Sequence, residues 1–178
     1  VVQRKKTKRR GYIVVALLSL VGVIATIVLS YDPEADAIGF VVREYVGNLK
    51  AETFLGAATY VHPQNLVELK QSAIRKAGMN EDFRQEILGA LNVASLEDLA
   101  SVPKERFFDF LVKRSLSQHT KTFDMLKKAT VIGVKIKRRK DMAWVRVSLS
   151  LVEDSVQKRF RMRLSLKNEN GWFVLLFE

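Results

Sequence analysis

Apolar and polar positions recur with two different periods along this chain, and the change of period divides it. From Asp36 to Lys128 apolar residues return at three- and four-residue steps: Ile38, Val41, Val42, Tyr45 and Leu49, later Phe83, Ile87 and Leu91, then Phe107, Phe108, Leu111 and Val112. Such spacing lays one apolar stripe along each of several successive helices. The punctuation agrees with it. Pro33 ends the segment before the first helix, Pro63 and Pro103 stand where later helices would begin, Asn80 offers an N-cap, and Ser95-Leu-Glu-Asp has the form of a capping box.

After Lys128 the period falls to two, which predicts strands near 130–137, 143–152, 156–166 and 172–177. Their connections are short and polar, and Asn170-Gly171 is a strong turn signal, so consecutive antiparallel hairpins follow. Parity then separates two faces. Ile132, Val134 and Ile136, Ala143 through Leu151 at odd positions, and Phe160, Met162, Leu164 and Leu166 form an aliphatic side. Val131, Gly133, Lys135 and Lys137, Trp144, Arg146, Ser148 and Ser150, and Arg159, Arg161, Arg163 and Ser165 form the other. The predicted fold class is α+β, with helices covering one side of a sheet whose other side is wet and basic.

Ahead of this domain, residues 12–31 carry no charge, and as a helix they would reach about 30 Å, the thickness of a hydrocarbon core. Arg4, Lys5, Lys6, Lys8, Arg9 and Arg10 precede the segment, and Asp32, Glu34 and Asp36 follow it. Charge asymmetry of that kind predicts a cytoplasmic tail at 1–11, a transmembrane helix at 12–31 and an extracytoplasmic domain at 32–178, helical over 36–128 and a sheet over 129–178. Localisation in a cell (inner) membrane, single-pass, is the expectation that results. A cleaved signal peptide, ending near Ala35-Asp36-Ala37, is the competing reading and would release an exported soluble domain.

Composition changes this picture in three places. The six basic residues of the tail carry much of the net charge of +11; without them 24 basic residues face 19 acidic ones, a balance of +5, so the high isoelectric point does not by itself indicate nucleic-acid binding. The absence of cysteine excludes disulfides, thiolate metal sites and a cysteine nucleophile. Two histidines far apart, His62 and His119, and the lack of a phosphate-cradling glycine loop leave no metal or cofactor expected.

The order of elements, with Ala-Trp-Val-Arg-Val at 143–147 and Lys-Asn-Glu-Asn-Gly-Trp-Phe-Val at 167–174, resembles the nuclear transport factor 2-like superfamily over roughly 36–178. The chain departs from that pattern in a long helical insert between about Gln64 and Lys128. The resemblance implies a strongly curved antiparallel sheet of four or more strands, wrapped into a cone around the helices. Members of the superfamily include enzymes whose acid or base projects into the cone, and noncatalytic binding modules. It also implies a parallel with the scaffold subunits of type IV secretion systems, which combine a short tail, one span and such a domain.

The inward strand positions carry no Asp, Glu, His or Tyr, so catalysis is not the leading expectation; a pocket inside the cone would draw on Tyr45, Tyr60 and His62. The leading one is a noncatalytic, membrane-tethered binding or assembly module. Its partner-binding face is the stripe Lys135, Lys137, Arg146, Arg159, Arg161 and Arg163, facing an acidic protein or anionic lipid headgroups. Nucleic acid is disfavoured by the extracytoplasmic location and by the scarcity of aromatics interleaved in the stripe beyond Trp144, and self-association is left open.

Overall fold

The computed structural model describes residues 32–153 and 155–176. By its contacts the chain divides into two compact units, 1–36 and 37–178, and the second holds the fold. Helix α1 (Pro33–Lys50) has acidic residues in its first turn and Lys50 in its last, matching the helix dipole, and buries Ile38, Val41, Val42, Tyr45 and Val46 along one stripe. A short α2 (Phe54–Ala58) follows. Then come α3 (Pro63–Met79), α4 (Glu81–Leu91), a 3-10 turn (Asp98–Ser101), α5 (Lys104–Gln118) and α6 (Thr120–Lys128).

Local signals fix several of these ends. The Asn80 side chain accepts a hydrogen bond from the Phe83 amide at 2.7 Å, which starts α4, and Asn92 ends it in the left-handed region with φ 55°. Ser95 and Asp98 form the reciprocal capping box: the Ser95 amide donates to Asp98 at 3.0 Å, and the Asp98 amide donates back to the Ser95 hydroxyl at 3.3 Å.

Four antiparallel strands complete the domain: β1 (Thr130–Arg139), β2 (Met142–Glu153), β3 (Val156–Asn168) and β4 (Trp172–Leu175), hydrogen-bonded in sequence order. Between β3 and β4, Asn170 (φ 60°) and Gly171 (φ 148°) both take positive φ, and the Asn168 side chain accepts from the Gly171 amide. The far side of β4 is not a free edge. The His62 amide donates to Val174 O at 2.9 Å, the Val174 amide donates to Tyr60 O at 2.8 Å, and Asn65 accepts from the Leu176 amide at 3.0 Å. This covering explains why so short a strand is apolar on both sides.

The helices build two cores. One joins α1, α2 and Phe108 of α5 to the inner face of the sheet, where Ala143, Val145, Val147, Leu149, Leu166 and Val174 are buried. The other lies within the α3–α5 insert around Phe83, Ile87, Leu99 and Phe107. The insert thus has a core of its own while Leu66 and Phe108 tie it to the first one.

Several expectations are corrected here. The sheet is an open meander with β1 and β4 at its ends, and nothing curls it into a cone. Closure of a sheet requires its end strands to pair, and none of the pairings joins β1 to β4. Face assignment in β1 also changes at a bulge between Val131 and Gly133, where Val131 lies opposite Leu149 on the inner side while Gly133 lies opposite Ser148 on the outer.

Residues 12–31, expected to cross a bilayer, lie outside the described residues. Among the described residues no helix is long and apolar enough to cross a membrane. On that finding the membrane-tethered module, its single-pass inner-membrane localisation, and the bilayer and lipid-headgroup partners are withdrawn. The acidic protein partner, argued on the same tethered module, is withdrawn with them.

Candidate functional site

The residues expected to line a pocket inside a cone do not converge on one. Tyr45 is 7% exposed and packs in the core between α1 and the sheet, where burial pushes its phenol up to about 12. Tyr60 packs edge-on against Phe40, with ring centroids 6.4 Å apart. His62 is 6% exposed and serves as the N-cap of α3: its Nδ1 accepts from the Gln64 amide at 3.3 Å, so the neutral ring carries its proton on Nε2. That Nε2 lies 3.0 Å from Glu169 Oε2. Phe173 closes over the ring edge-on at 6.0 Å. Each residue has a structural role already, and the inner face they would serve is filled by aliphatic side chains.

The opposite face of the sheet is different. Cross-strand register places Lys135, Arg146 and Arg163 in one row across β1, β2 and β3, and Lys137, Trp144, Ser165 and Leu175 in the next. These seven side chains share the outer parity. Between the rows, the backbone of Ile136, Val145 and Leu164 makes the floor of a trough of about 630 Å³. Trp144 leaves 40% of its surface in water, at the wall of this trough. Arg161 lies opposite Ser148 and Arg159 opposite Ser150, further along β3, where a second depression of about 420 Å³ also takes in Ile132. The six basic residues singled out in sequence thus fall on one face, four in the trough and two beside the second depression.

Electrostatics distinguishes this face from the depressions on the helices. Two depressions on the helices also contain cations, but there Arg114 pairs with Glu86 at 2.7 Å, Lys113 with Asp109 at 2.8 Å and Lys127 with Glu52. At the sheet's ends Lys158 pairs with Glu153, and Lys167 pairs with Glu169, holding that carboxyl below the ordinary range. Among the described residues, no carboxylate pairs with Lys135, Lys137, Arg146, Arg161 or Arg163. Like charges directly opposite each other on neighbouring strands are destabilising, and Arg146 has one on each side.

Besides the basic residues, the trough takes in Trp144 and Ser165, already placed on this face by parity, and Leu175, which was not. The signal for Trp144 was its shared parity with Arg146, two residues away on the same strand. Leu175 could not be assigned without the β3–β4 register, which sets it opposite Ser165.

No protein-family model, curated protein or solved structure matches this chain. With the sheet open and no such match, the resemblance to the nuclear transport factor 2-like superfamily does not hold, and the domain stands as an α+β unit of helices packed on a four-stranded antiparallel sheet.

Proposed function

We propose that this domain is a binding module that takes an anionic ligand bearing a flat or apolar group into the trough on the outer face of its sheet. The observation that carries the reading is a row of three cations in register, Lys135, Arg146 and Arg163, with no paired carboxylate among the described residues and beside an exposed tryptophan. Folding alone gives no reason to set like charges opposite one another, whereas an anion bound between them turns the repulsion into attraction. Arg146 and Arg163 supply planar forks suited to carboxylate or phosphate oxygens, and Lys135 and Lys137 supply point charges at the β1 side. Trp144 and Leu175 offer apolar surface to the rest of the ligand. The volume falls within the range of small-molecule sites.

The lining supplies cations and apolar surface, the groups that hold an anion with a flat or apolar part. The test is a titration with adenosine 5′-monophosphate at low ionic strength, followed through tryptophan fluorescence, because Trp144 is exposed while Trp172, the other tryptophan, is buried. A saturable change that weakens with salt, disappears in Trp144→Phe and is lost in the Arg146→Glu/Arg163→Glu variant is expected. No saturable change at millimolar ligand, or one indifferent to the two arginines, contradicts the reading.

A further inference from the structure

We propose that the ligand of this face is single-stranded nucleic acid, with its phosphate backbone running along β3; the proposal rests on the anion-binding reading above. A compact anion would need only the trough. The cationic array does not stop there: Arg163, Arg161 and Arg159 occupy successive outer positions of β3, roughly 6.8 Å apart at ordinary strand geometry. That repeat is comparable with the spacing of successive phosphates on an extended single strand.

The apolar surfaces repeat along with the charges. Trp144 stands at the trough, and Ile132, 49% exposed where the β1 bulge lifts it out of the pairing, stands at the second depression beside Arg159 and Arg161. One face therefore holds two depressions, each with cations and an apolar contact, joined by a line of arginines. Electrostatic tracking of the backbone combined with stacking of unpaired bases on an aromatic ring is how single strands are held without regard to sequence. In a duplex the bases are stacked on each other, and no ring is free to meet Trp144. An acidic polypeptide would satisfy the charges but would leave the indole without a flat partner.

The decisive experiment compares thymidine 5′-monophosphate with a twelve-residue oligothymidylate, using the full chain and variants. The oligomer should bind more than about 100-fold tighter than the monomer, beyond what multiple registers on one strand provide. With about four phosphates neutralised, its affinity should fall about 50-fold between 50 and 200 mM salt. Arg159→Glu/Arg161→Glu should weaken the oligomer at least about tenfold and leave the monomer within twofold, since both positions lie outside the trough. Trp144→Ala should weaken both about tenfold.

Equal affinity for monomer and oligomer, with Arg159→Glu/Arg161→Glu silent, would overturn the single-strand proposal and leave the compact-anion reading standing. Equal affinity for a duplex, or for poly-glutamate of matched length, would overturn the ligand class. Loss of all binding by the unaltered protein, or silence of Arg146→Glu/Arg163→Glu, would overturn both readings together.

Discussion

The two faces of the sheet are made from alternating residues of the same strands, and they follow opposite rules. On the inner face, Val145, Val147, Leu149, Leu166 and Val174 meet apolar side chains from α1, α2 and α5, and every contact lowers the free energy of folding. On the outer face, Arg146 stands between Lys135 and Arg163 in one row, an arrangement that opposes folding. A single chain pattern thus contains a face selected by packing and a face that packing does not explain. What folding disfavours and the protein nevertheless carries is where a ligand should be sought.

Truncation of the inner face should produce the largest change. Leu149→Ala or Phe108→Ala, each removing a buried side chain from the core shared by helices and sheet, should destabilise the domain by about 2–5 kcal/mol in urea unfolding. A loss below 1 kcal/mol would mean that the helices are not held on this face as described.

A smaller effect tests the same core through pH. Burial raises the Tyr45 phenol from 10.0 to about 12, so the folded state holds that proton more tightly than the unfolded state does. The stability this contributes is fully present below pH 10 and is lost as pH rises toward 12, to a total of about 2–3 kcal/mol. Tyr45→Phe, which cannot ionise, should show a shallower decline of stability over that window than the unaltered protein. An identical alkaline limb in the two proteins would place Tyr45 outside the core.

The smallest effect has the opposite sign. Arg163→Glu sets an acid opposite Arg146, and should stabilise the domain by roughly 0.2–1 kcal/mol while it abolishes anion binding. Stabilisation combined with lost binding would separate the purposes of the two faces in one variant. Destabilisation would give the arginine row a structural role and dissolve the contrast.

Part of this arrangement was legible in the sequence. Parity along β2 and β3 assigned both faces, and Asn170-Gly171 and the capping residues Asn80 and Ser95 marked their turns and helix ends, because those signals act over a few residues. Long-range geometry was not legible. Whether a sheet closes depends on pairing between distant strands, and the β1 bulge exists only in register with β2, so Val131 could not be placed from its own strand. Tyr45 and His62 were read as pocket residues from their chemistry. A tyrosine on an apolar stripe and a histidine before Pro63 serve packing and capping equally well, and burial with the Gln64 contact decided for those.

The most direct test of the central claim is a residue-resolved map of ligand-induced shifts by NMR during titration with adenosine 5′-monophosphate. The account predicts perturbations at the Trp144 indole N–H and at the amides of Lys135, Arg146, Arg163 and Ser165, with the inner face and the surroundings of Tyr45, Tyr60 and His62 unmoved. Shifts centred on those three residues, with the outer rows of the sheet silent, would contradict it.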